Sequence, residues 1–148
     1  MVIYVKIEGI VFIEGVIPME FYMKEDGMRT KLEYGELSVS PDDTKGFRPF
    51  QLMIASIAGC SASVFRKILA KQRIEIADLQ MTAEVKRNPD VANRIEDVKL
   101  HFVVKGNRID QGKMEKNLEL ARKNCSMVRS VEDSINITET IEVIQLSE

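Results

Sequence analysis

The sequence predicts an α+β fold, and three observations carry that prediction. Alternating apolar and polar residues mark strands near both ends of the chain. One long and almost uninterrupted apolar helix pattern stands between them. The second half then adds a strand pair, a helix and a final strand. This order segregates strands and helices instead of alternating them regularly, which separates it from a doubly wound α/β sheet. At 148 residues the length suits one domain, expected to span 1–148.

Taken in order, Ile3, Val5 and Ile7 alternate with Tyr4 and Lys6, and Glu14-Gly15 marks a turn. Ile17, Met19, Phe21 and Met23 form a second alternating run. Asp26-Gly27 is hairpin chemistry, because both central positions of a type I′ turn want positive φ. A third strand is expected from Arg29 to Val39, then a polar loop from Pro41 to Gly46. Pro49 opens the central helix, where its missing N–H costs nothing, and the pattern runs to Lys71.

Projected at 100° per residue, that helix has a small-residue face of Ala55, Ala58, Gly59 and Ala62. A bulkier apolar face carries Met53, Ile57, Cys60, Val64 and Ile68. Apolar nearly all round, the helix is expected to be buried in an interface. Beyond it, Leu79, Met81, Ala83 and Val85 alternate as a strand, and Asn88-Pro89-Asp90 is turn chemistry. Val98, Leu100, Phe102 and Val104 line the inner face of the next strand. Asp110 can cap a helix holding Met114, Leu118 and Ala121, and Asn124 can stop it in the left-handed conformation. A short helix is expected at 126–132, then a last strand through Ile135, Ile137, Ile141 and Val143.

Composition narrows the function classes. A net charge of −2 speaks against nucleic acid, whose phosphates favour a basic excess. The apolar run from Leu52 to Phe65 is short for a bilayer and holds three serines, so no membrane partner is expected. The first residues lack a basic region and a cleavage signal, and two cysteines are too few for a stapled secreted scaffold. The expected location is the cytoplasm.

The two cysteines carry the chemistry. Cys60 is either a small buried hydrophobe or a nucleophile, and the second reading needs a lowered pKa. A cation such as Arg29, Arg48 or Arg129 would have to fold over it. Cys125 stands near the start of the short helix, where unpaired N–H groups favour a thiolate; the alternative is a small cap or core residue. Their separation of 65 positions is neither a CxxC redox motif nor a zinc signature, and no metal or cofactor is expected. His101, the only histidine, falls on the polar face of its strand with Lys99 and reads as solvated.

The segment Arg48-Pro49-Phe50-Gln51-Leu52-Met53-Ile54-Ala55-Ser56-Ile57-Ala58-Gly59-Cys60 resembles the central helix of the OsmC/Ohr family. That family carries a second cysteine late in the chain, before a short helix and a final strand, as Cys125 stands here. The resemblance implies an OsmC-like fold and an intertwined homodimer with paired central helices. It also implies a thiol peroxidase for organic hydroperoxides, with Cys60 as the attacking thiol and Cys125 resolving it to a disulfide. A dithiol reductant would then reset the pair. Met53, Ile57 and Val64 suit an organic peroxide.

One position departs from the family's peroxidases. They place a glutamate after the proline, ten positions before the cysteine, where it orients an activating arginine from the N-terminal strands. Here that position is Phe50, with Gln51 beside it; Arg29 is the nearest candidate for the arginine and Arg48 is another. The departure implies a branch lacking that glutamate. The competing reading is a dimer that binds a small apolar ligand without turnover.

Overall fold

The computed structural model describes residues 4–7, 10–13 and 17–147. The chain divides into two compact units, 1–49 and 50–148. The expected turn at Glu14-Gly15, and Ile3, lie outside the described residues.

The first unit is built of short antiparallel strands. β1 (Tyr4–Ile7) pairs with β2 (Ile10–Ile13), a strand the sequence reading did not anticipate. The run expected from Ile17 is strand only at β3 (Tyr22–Met23). A second sheet follows in the order β3-β4-β5, with β4 at Met28–Lys31 and β5 at Glu36–Val39. The single strand expected over 29–39 is therefore a hairpin, closed by a bond from Leu32 N to Gly35 O. The Asp26-Gly27 hairpin is present but its turn is of another kind. Lys24 N donates to Gly27 O, and only Gly27 of the pair takes positive φ, at 84°. A Cβ at Gly27 would stand 2.1 Å from Val39 O, so glycine is required there by φ and by space. The loop after β5 is pinned by backbone bonds between Ser40 and Phe47 and between Phe47 and Ser38, and by Asp42 accepting from Thr44.

The second unit holds the core. α1 runs Pro49–Lys71, the expected bounds. At 23 residues it is long and apolar enough to cross a bilayer by length and composition, a test that the core helix of a soluble protein also passes. Its buried stripe is Ile54, Ile57, Ser61, Phe65 and Leu69, spaced by three or four residues. That stripe differs from the projected bulky face: Met53 is 42% exposed and Cys60 half-buried. Ser56 and Ser63 turn their hydroxyls back onto the carbonyls of Met53 and Gly59, which lets serine sit in an apolar helix. The helix ends in a Schellman motif: Arg73 N bonds Ala70 O, Ile74 N bonds Leu69 O, and Arg73 takes φ 56°.

The stripe meets a three-stranded sheet in the order β6-β7-β8, made of Asp78–Asn88, Arg94–Gly106 and Asn136–Gln145. β6 and β7 form a long antiparallel hairpin, whose turn opens with Asp90 N donating to the Asn88 side chain. Val98, Leu100, Phe102 and Val104 are buried as the alternation predicts, and Phe65 meets Phe102 edge-on at 5.7 Å. β8 lies parallel to β7, which requires a long crossover; α2 (Gln111–Asn124) and α3 (Ser126–Val131) supply it. Asp110 caps α2 through Lys113 N. Asn124 does not stop that helix in the left-handed conformation. It is the last helical residue, its side chain bonds Leu120 O, and the chain leaves through extended Cys125 (φ −83°). α2 also covers the outer edge of β8: Arg122 donates to Ile137 O, and the Gln111 amide bonds Ile141 O and Val143 N.

Candidate dithiol site

The site forms where the middle of α1 meets the junction of α2 and α3. Cys60 is one residue before buried Ser61, so its sulfur stands at the edge of the buried stripe. Cys125 is at once the last cap of α2 and the first cap of α3, and it is fully buried. Extended backbone at Cys125 ends one helix and starts the next, so the first N–H groups of α3 have no partner within that helix.

Those groups reach the two sulfurs, Met127 and Ser126 N–H acting on Cys60 and Val128 and Met127 N–H on Cys125. Met127 N–H donates to the Cys60 sulfur, Ser126 Oγ stands 3.6 Å from Sγ, and the Cys125 thiol and Ser126 N–H add further donors. Together they hold the Cys60 thiol below its ordinary pKa; the Met127 N–H contributes most, and partial burial opposes it. Cys125 goes the other way, pushed up to about 11. Burial is the main cause, outweighing the Val128 N–H, and the adjoining Cys60 sulfur raises it further. The two thiols thus form one hydrogen-bonded pair with separated acidities, both in the free state.

The helix-start N–H groups that the sequence placed beside Cys125 reach both sulfurs, and at Cys125 burial outweighs them. Of the three cations named for Cys60, Arg129 pairs with Glu132 at the end of α3. Arg29 belongs to the first unit, where it pairs with Glu36 at 3.2 Å and lies 5.8 Å from the centre of the Tyr22 ring. Arg48 is half-buried, immediately before α1. Phe50, at the position of the peroxidases' glutamate, carries the Arg87 guanidinium 4.7 Å above its ring. His101 is on the polar sheet face as read, bonded to Thr140 Oγ1 at 2.8 Å and 3.7 Å from Glu142. Ile57 is buried core, so of the three apolar neighbours named for a peroxide only Met53 is exposed and Val64 half-buried.

Comparison with known proteins decides the family. The model of the OsmC-like protein family matches residues 41–140, which include both cysteines. The chain belongs to the OsmC-like family. Among its curated relatives, protein YhfA of Escherichia coli K12 is 28% identical over 97 residues, covering 65% of this chain and 72% of YhfA. An organic hydroperoxide resistance protein-like protein of Staphylococcus aureus is 27% identical over 104 residues, covering 69% and 74%. Among solved structures, a hypothetical protein of Aquifex aeolicus VF5 superposes with a TM-score of 0.79 at 25% identity, covering 89% of this chain and 98% of that one. The organic hydroperoxide resistance protein OsmC of Legionella pneumophila shares the fold, with a TM-score of 0.68 at 18% identity, covering 87% and 99%.

Two residues near the OsmC-like dithiol escaped the sequence reading. Ser126 had a signal, a hydroxyl beside a cysteine at a helix start. Glu139 also had one: it stands in phase with inward Ile137 and Ile141. Its carboxylate, 3% exposed, accepts from Ser61 Oγ at 2.5 Å, with Arg122 4.0 Å from its other oxygen. Burial raises its pKa, against the lowering effects of Ser61 and Arg122.

Proposed function

We propose that the chain, as a single OsmC-like domain in an intertwined homodimer, reduces organic hydroperoxides in the cytoplasm with its Cys60/Cys125 dithiol. The observation that carries this reading is the hydrogen-bonded thiol pair, one member lowered and half-exposed, the other raised and buried. The Cys60 thiolate attacks the peroxide O–O bond; sulfur takes one oxygen as sulfenic acid, and the alkoxide leaves and is protonated to the alcohol. While Cys60 is anionic its charge keeps Cys125 protonated. Conversion to the neutral sulfenic acid removes that charge, so Cys125 can then give up its proton and attack. Water leaves and the disulfide forms. A dithiol returns two electrons and two protons by exchange. Membership of a family with hydroperoxide-resistance relatives supports this reading. In the homodimer Arg29 would act as the arginine, released from Glu36.

Phe50 favours a second reading, an OsmC-like dimer that binds a small apolar ligand without turnover. Its ring carries an arginine by stacking and offers no carboxylate to orient one. One experiment separates the two. Reduced protein is treated with cumene hydroperoxide while intact mass and free thiols are followed, beside Cys60→Ser and Cys125→Ser. The peroxidase reading expects rapid loss of both thiols, arrest of Cys125→Ser at the sulfenic acid, and an inert Cys60→Ser. Oxidation no faster than that of a free thiol sinks it in favour of the ligand-binding reading.

A further inference from the structure

We propose that Ser126 is a positioning residue of this dithiol: its hydroxyl, 3.6 Å from Cys60 Sγ, donates to the thiolate and holds the sulfur beside Cys125. A thiolate can only accept, so the direction of that bond follows once Cys60 ionises. Ser126 opens α3, directly after buried Cys125, so one rigid junction fixes the hydroxyl and the second thiol together. Its backbone is engaged separately, the carbonyl accepting from Ser130 Oγ, so removing the hydroxyl leaves the helix intact. The contact acts on one thiol only. It therefore biases the pair toward Cys60 as the ionised member.

The role concerns thiol ionisation, and only its consequence for turnover rests on the peroxidase reading. The test is the pH dependence of iodoacetamide alkylation, followed on the peptide carrying Cys60, for wild type, Ser126→Ala and Ser126→Thr. Ser126→Ala is expected to raise the midpoint by about half to one pH unit, slowing alkylation at neutral pH by about 3- to 10-fold. Ser126→Thr, which keeps the hydroxyl, is expected to restore the rate to within about twofold of wild type. An unmoved midpoint in Ser126→Ala, or no rescue by Ser126→Thr at an unchanged thermal midpoint, overturns the proposal. Cumene hydroperoxide turnover is measured in parallel. Absent turnover with a shifted midpoint removes the peroxidase reading and keeps the role of Ser126; turnover with an unshifted midpoint does the reverse.

Discussion

Burial pushes the same way on each acid near α1, and only at Cys60 do hydrogen-bond donors outweigh it. Cys60 is only half-buried and gathers donors, so its charged form is favoured; Cys125 and Glu139 are buried and their neutral forms are favoured. Glu139 makes a stability prediction with a definite sign. Its folded pKa lies above the unfolded value of 4.5, so its contribution is complete below about pH 4.5 and is lost as pH rises through the folded pKa. Glu139→Gln keeps an acceptor for Ser61 and cannot ionise. The variant should therefore lose less stability than wild type between pH 4.5 and 7, measured as urea midpoints at several pH values. Parallel pH profiles for the two proteins would show that Glu139 titrates normally. At this scale the sequence was partly legible. Both cysteines were recognisable as a pair, but which one ionises was not, because that depends on where the N–H groups of α3 point.

At the scale of elements, the helices were the most legible. Pro49 and the apolar run set the bounds of α1, and Asp110 set the start of α2. The end of α1 is less well suited to its residue, since Arg73 occupies a left-handed position that glycine adopts without a Cβ clash. Arg73→Gly is expected to stabilise the protein by about 0.5–1 kcal/mol. A thermal midpoint that fails to rise would show that the arginine side chain contributes as much as the strain removes. The N-terminal strands were less legible. Two-residue β3 and four-residue β4 and β5 leave little room for alternation to register, and Gly35 split what looked like one strand. The buried stripe of α1 was displaced from the projected one because the helix is apolar on nearly every side. Only the sheet it packs on decides which side is covered.

At the scale of the whole molecule, α1 leaves small and apolar residues uncovered: Ala55 and Gly59 are exposed, as is Met53. A Cβ at Gly59 would meet nothing within 4 Å. In an isolated chain Gly59→Leu should thus stabilise by improving helix propensity, by about 1 kcal/mol. In the proposed homodimer the same side chain would force the paired helices apart. Analytical ultracentrifugation should find wild type at the mass of two chains and Gly59→Leu shifted toward one, with helical content retained. A monomeric wild type, or a variant that stays fully dimeric, would remove this helix from the interface.

Local chemistry let the sequence determine the helix starts, the polar turns, the inward alternation of Val98 to Val104 and the family resemblance now borne out over residues 41–140. Each of those depends on residues close together along the chain. Tertiary structure alone decided the rest. It brought Cys60 against Cys125 across 65 positions, buried Cys125 fully and Cys60 only in part, and set α3 amides against both, so that burial wins at Cys125 alone. It also placed Glu139 in the core opposite Ser61. Thiol and carboxyl acidity is set by burial and by which dipoles face the atom, and both are properties of packing between distant segments.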